Sequence, residues 1–99
     1  MNIKKMLKQA QEMQKKLQQE VEEMTVQSSA GGGMVNVTMR GNKELLSVEI
    51  DPEAVDPEDV EMLQDLIMAA VNEASRKVDE AVQEQMGNMT GGMGFPGLG

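Results

Sequence analysis

Residues 30–51, AGGGMVNVTMRGNKELLSVEID, decide the fold. Val35, Val37 and Met39 alternate with Asn36, Thr38 and Arg40, and further on Leu46, Val48 and Ile50 alternate with Ser47 and Glu49. A period of two places successive side chains on opposite faces of an extended chain, so each run reads as a strand with one apolar and one polar face. Gly41-Asn42 between the runs has the composition of a tight turn, which makes the pair antiparallel. Upstream, Val26, Ser28 and Ala30 alternate more weakly and lead into Gly31, Gly32 and Gly33, a third strand joined by a glycine turn or bulge. The expectation is a small three-stranded meander.

Outward from the meander the period lengthens on both sides. From Ile3 to Met24 the apolar residues Ile3, Met6, Leu7, Ala10, Met13, Leu17, Val21 and Met24 recur at steps of three and four, which is a helix. The spacing of Ile3, Met6, Ala10, Met13 and Leu17 also fits the core positions of a short coiled coil. On the other side Asp56 stands as an N-cap, Pro57 at the first helical position, and Val55 is placed to staple onto Val60. That second helix is expected to run to about Met86, with Leu63, Leu66, Ile67, Ala70, Val71, Ala74, Val78, Ala81 and Val82 on one broad face. The fold class is therefore α+β, in the order helix, three-stranded antiparallel meander, long helix.

Six glycines and no charged residue fill positions 87–99, so the chain divides into a folded domain at 1–86 and a disordered Gly/Met-rich tail at 87–99. A domain of about 86 residues has a marginal core. With Phe95 of the tail the only aromatic, that core is built from aliphatics and methionine. Strands of six residues span roughly 20 Å while the helices span roughly 33 and 45 Å, so the helices overhang the sheet. Their apolar faces continue past the part that a sheet covers, which points to an obligate homodimer formed through strand edges or helix packing.

The composition excludes most chemistry. There is no cysteine for a disulfide or thiolate site and no histidine to serve as general base or metal ligand. No catalytic residue, metal site, cofactor or small-molecule substrate is therefore expected, and the protein reads as a binding protein. The start Met1-Asn2-Ile3-Lys4-Lys5 resembles the basic region of a signal peptide, but no apolar run follows and no later segment reaches membrane-spanning length. The expected compartment is the cytoplasm, with no membrane partner.

Several motifs have plainer readings. Gly92-x-Gly94-x-x-Gly97 has the spacing of a dinucleotide fingerprint but lacks the strand before it and the helix after it, and Pro96 interrupts it. Gly31 to Gly33 is followed by a strand, not by the helix N-terminus of a phosphate loop. The acids Asp51, Glu53, Asp56, Glu58 and Asp59 lack calcium-loop spacing and suit helix capping. Met86, Met89 and Met93 are soft donors of the kind that attract Cu(I), yet in this setting they make a greasy tail.

One charge feature resists such a reading. Net charge is −8, yet Lys4, Lys5, Lys8, Lys15 and Lys16, five of the nine basic residues, lie in the first sixteen positions with Glu12 the only acid. Residues 1–16 carry +4 and the rest carries −12. On a helix these lysines fill an arc of roughly 120° almost opposite the apolar stripe, until Glu20, Glu22 and Glu23 end it. A solvated helix face is the ordinary explanation, but so uneven a distribution also builds a local positive field suited to an anionic partner.

Four segments carry a family resemblance: MLKQAQEMQKKL at 6–17, AGGGMVNVTMRG at 30–41, SVEIDP at 47–52 and MLQDLIMAAVNEA at 62–74. Together they are similar to the YbaB/EbfC family of bacterial nucleoid-associated proteins, over residues 1 to about 86 in order. The resemblance implies a homodimer with a central sheet from both chains and helices projecting like tweezers. It also implies binding of double-stranded DNA in the nucleoid that alters DNA conformation and influences gene expression. DNA contacts attributed to the projecting helices carry over to Lys4, Lys5, Lys8, Lys15 and Lys16, with Arg76 and Lys77 as secondary candidates. The alternative is a protein-binding or chaperone-like module that uses the apolar faces of the same helices.

Overall fold

The computed structural model describes residues 2–91. Its order is α1 (Ile3–Glu23), β1 (Thr25–Ala30), β2 (Val35–Arg40), β3 (Leu45–Ile50), a 3-10 turn (Pro52–Ala54) and α2 (Val60–Gly91). The strands pair antiparallel in chain order, with Val37 opposite both Ser28 and Val48, and a register irregularity falls between Thr38 and Met39. The α+β meander flanked by helices is as the alternating runs predict.

The core lies between the sheet and α2. Val35, Val37 and Met39 project from β2 onto Ala70, Ala74 and Val78, all of them buried, with Val26, Ala30, Leu63, Leu66, Ile67, Val71 and Val82 around them. Small residues at Ala70 and Ala74 let the helix axis approach the strands closely, so the pattern of α2 sets both its rotation and its distance. Helix α2 covers β1 and β2 but not β3. Leu45, Leu46, Val48 and Ile50 of β3 consequently stay between 37 and 42% exposed.

Three details differ from the sequence expectation. The second helix starts at Val60, not Pro57, because Asp59 is the residue that caps it, accepting the Met62 N–H at 3.2 Å. Asp56 instead forms a turn of its own, accepting the Glu58 N–H at 2.9 Å, and Val55 and Val60 are both about half exposed. At its far end α2 continues to Gly91, beyond Met86, since nothing from Gly87 to Gly91 breaks the backbone hydrogen-bond pattern as a proline would. The tail expectation for 92–99 lies outside the described residues. In the β2–β3 hairpin the connection has four residues, Gly41 to Glu44, and the left-handed one is Lys43 at φ 70°, with Gly41 in an ordinary conformation.

The β1–β2 connection does need its glycines. Gly31, Gly32 and Gly33 all have positive φ, between 65° and 95°, and the Asn36 side chain donates to the Gly33 carbonyl at 2.8 Å. Side chains rarely tolerate that region, so three in succession are economical only for glycine.

Helix α1 is arranged unlike everything else. It contains no buried residue, and only its last turns, around Leu17 and Val21, are half-covered. The principal extents of 71 × 28 × 15 Å and radius of gyration of 19.3 Å contrast with about 13 Å for a compact chain of this length. The helices project from the sheet.

Candidate nucleic-acid interface

Helix α1 begins with a side-chain cap: Asn2 Oδ1 accepts the Lys5 N–H at 3.2 Å. This fixes the first turn, where Lys4, Lys5 and Lys8 sit. From Lys4 to Lys16 the axis advances about 18 Å, roughly half of the ~34 Å repeat of duplex DNA. All five lysines are exposed, and among the described residues none of their ammonium groups has a hydrogen-bond or ion-pair partner.

The other four basic residues are all occupied. Arg40 pairs with Glu44 at 3.6 Å and Lys43 with Asp79 at 3.0 Å. Arg76 pairs with Glu73, one turn away on α2. Lys77 Nζ donates to the Gln27 carbonyl at 2.8 Å, tying α2 to β1. The secondary candidates Arg76 and Lys77 are therefore placed together on α2 but apart from the α1 stripe, each already holding a neighbour within the fold. Sequence reading had no signal for the Lys77 contact, whose partner lies fifty residues away.

Projection also solves the problem of net charge. Lys8 and Glu20 are separated by about 18 Å of helix, beyond the ~8 Å Debye length of physiological salt. The early lysines are screened from the acidic body and present their own field. The apolar side of the same helix is equally bare: Ile3, Met6, Leu7 and Met13 are 57–68% exposed.

No rival site of comparable chemistry is present among the described residues. Among the described residues no group of three potential metal ligands converges. Asp51 spends a carboxylate oxygen on the Glu53 N–H, and Asp56 and Asp59 are used in the turns described above. On the face of the sheet away from α2, Gln27, Ser29, Asn36, Thr38, Ser47 and Glu49 border a shallow trough of about 340 Å³. It has no cation to hold an anion. No helix among the described residues is long and apolar enough to cross a membrane.

Comparison with known proteins identifies the family. The YbaB/EbfC DNA-binding family matches residues 1–93. A nucleoid-associated protein of Alkaliphilus metalliredigens is 59% identical, the alignment covering 98% of this chain and 88% of that one. Another, of Pelotomaculum thermopropionicum, is 53% identical over 98% and 95% of the two chains. Among solved structures, the uncharacterized protein HP0035 from Helicobacter pylori superposes with a TM-score of 0.66 at 30% identity, covering 85% of this chain and 98% of that one. The family description and the relatives' names are those of DNA-binding proteins and not of enzymes, in keeping with the chemistry that the composition excludes. An α-β-β-β-α chain with its free cations on a projecting helix, matched from residue 1 to residue 93, belongs to the YbaB/EbfC DNA-binding family.

Proposed function

We propose that this chain is a nucleoid-associated protein of the cytoplasm, which as a homodimer holds duplex DNA chiefly through phosphate contacts from the lysines of α1. In doing so it alters DNA conformation and influences gene expression. The observation that carries this reading is the division of the cations: Lys4, Lys5, Lys8, Lys15 and Lys16 are free on the projecting helix, and the remaining four basic residues are held within the fold. Lysines on one helix face fix a protein on the backbone and carry little base information. Arg76 and Lys77 are secondary contacts, available only if they release Glu73 and Gln27.

Dimerisation is supported by what one chain leaves uncovered. β3 is a sheet edge with an apolar strip, and the stripe on α1 has no sheet beneath it. Edges of that kind pair, and contiguous apolar surface of that kind is normally buried. Two chains double the lysine stripe.

The test is a gel shift with unrelated duplexes at rising salt, on protein whose dimeric size has been verified. If about five of the ten lysines in a dimer engage phosphates, log affinity falls with a slope of about −4.5 against log salt. Reversing Lys4, Lys5 and Lys8 to Glu lowers affinity at least a hundredfold while the dimer persists. The bare apolar stripe at Ile3, Met6, Leu7 and Met13 favours one second reading, a protein-binding module. That reading requires binding to a protein partner indifferent to salt and to the lysine reversal.

A further inference from the structure

Glycine in a β-turn usually occupies the left-handed position, because it has no Cβ to clash there. In the β2–β3 hairpin that position belongs to Lys43, and Gly41 has a φ open to any residue. Its lack of a side chain answers a different need. A Cβ on Gly41 would overlap the carbonyl oxygen of Val21 and come within 2.8 Å of Met24 Cγ. Val21 is in the last turn of α1, and the oxygen is backbone, so no change of rotamer relieves the overlap. The Gly41 N–H donates to the Met24 carbonyl at 2.8 Å, at the junction where α1 passes directly into β1. The same hairpin is fixed to α2 by Lys43 and Asp79, and Glu20 of α1 accepts from Gln85 of α2 at 3.2 Å. Leu17, Val21, Gly41, Val82 and Met86 border the cleft where α1, the hairpin and α2 meet.

From these contacts we infer that Gly41 is the seat on which α1 pivots, a positioning residue that sets the angle at which the lysine stripe leaves the sheet. It touches no DNA itself. The stripe is about 18 Å long and its first lysine lies some 25 Å along the helix axis from Val21, so a small rotation at the seat becomes a displacement of several ångströms at Lys4. Two such stripes in a dimer engage one duplex together only when their separation matches it. This inference rests on the α1 lysines being the DNA contacts.

Two variants of the full chain test it against the parent. The first is Gly41→Ala. The second keeps Gly41 and inserts two glycines between Met24 and Thr25, which frees α1 from its seat without altering any sheet residue. Hydrogen exchange is read over residues 17–25, over β2 and over residues 66–78, together with affinity for duplex DNA and dimeric size. The expected result is at least tenfold faster exchange at 17–25 with β2 and 66–78 within twofold of the parent, and at least tenfold weaker DNA binding by both variants. If Gly41→Ala fails to fold, the insertion decides. Affinity within threefold of the parent for the insertion overturns the inference, as does unchanged exchange at 17–25 in a folded Gly41→Ala. The Lys4, Lys5, Lys8 reversal run alongside separates the two claims. Weak binding by the reversal with strong binding by the pivot variants overturns the pivot alone, whereas strong binding by the reversal overturns the lysine reading and the pivot's role in it.

Discussion

Both helices are amphipathic, but they use their faces in opposite ways. Helix α2 presses Ala70, Ala74 and Val78 against β2 and spends Arg76 and Lys77 on neighbours within the fold. Helix α1 buries nothing and leaves five lysines unpaired. Local sequence does not separate the cases, because each has an apolar arc at helical spacing. What separates them is whether a sheet lies underneath, and that follows from the overhang. The packed core of this chain accordingly lies in α2 and the strands, and its unpaired cations lie on the helix that contributes least to that core. Division of this kind is common where function needs exposed, uncompensated groups.

The comparison is broken most severely by placing a charge on each helix in turn. Ala74→Glu puts a carboxylate into a position with no exposure and is expected to cost more than about 4 kcal/mol, abolishing cooperative denaturant unfolding. Ala10→Glu, on exposed α1, is expected to cost under about 1 kcal/mol of monomer stability. A loss at Ala10 near that at Ala74 that disappears on dilution identifies α1 as covered by a second copy of the chain.

Asn2→Ala sharpens the contrast at an intermediate level. It removes a cap from a helix whose first turns no packing supports, at about 1 kcal/mol of helix stability. Faster amide exchange over the first turn and up to about fivefold weaker DNA binding are expected, with the unfolding midpoint unmoved. An unchanged exchange rate means that something other than Asn2 holds the first turn.

The smallest effect is at Lys77. Replacement by Met removes an exposed hydrogen bond worth under about 1 kcal/mol, and the salt slope of DNA binding is expected to stay within experimental error. A slope smaller by about one unit means that Lys77 leaves Gln27 and takes a phosphate.

Much of this organisation is legible in sequence because it depends on local periodicity. The α2 face from Leu63 to Val82 is recovered almost residue for residue, since a period of 3.6 over more than five turns leaves little freedom. The strands are equally plain apart from Leu45, where the irregularity in register disturbs the alternation. Asp56 and Asp59 both suit capping, and only backbone geometry chooses Asp59. The close approach at Gly41 is hidden for a related reason: glycine beside asparagine is the ordinary signature of a turn, and the competing cause, an approaching helix end, lies twenty residues upstream. At the candidate interface the lysine stripe is visible as charge distribution. Which cations are free is not, because the partners of Lys43 and Lys77 are distant in sequence.

The sheet order β1-β2-β3 has a kinetic consequence as well. Each strand meets its chain neighbour across a connection of four residues, so both hairpins close with little loop entropy, and microseconds suffice for events of this size. Docking of α2 on β1 and β2 is then the main long-range step, and it spans few elements. Helix α1 takes no part in any of these steps. Its five lysines, which have no hydrogen-bond or ion-pair partner among the described residues, are free to vary without slowing the folding of the sheet that carries them.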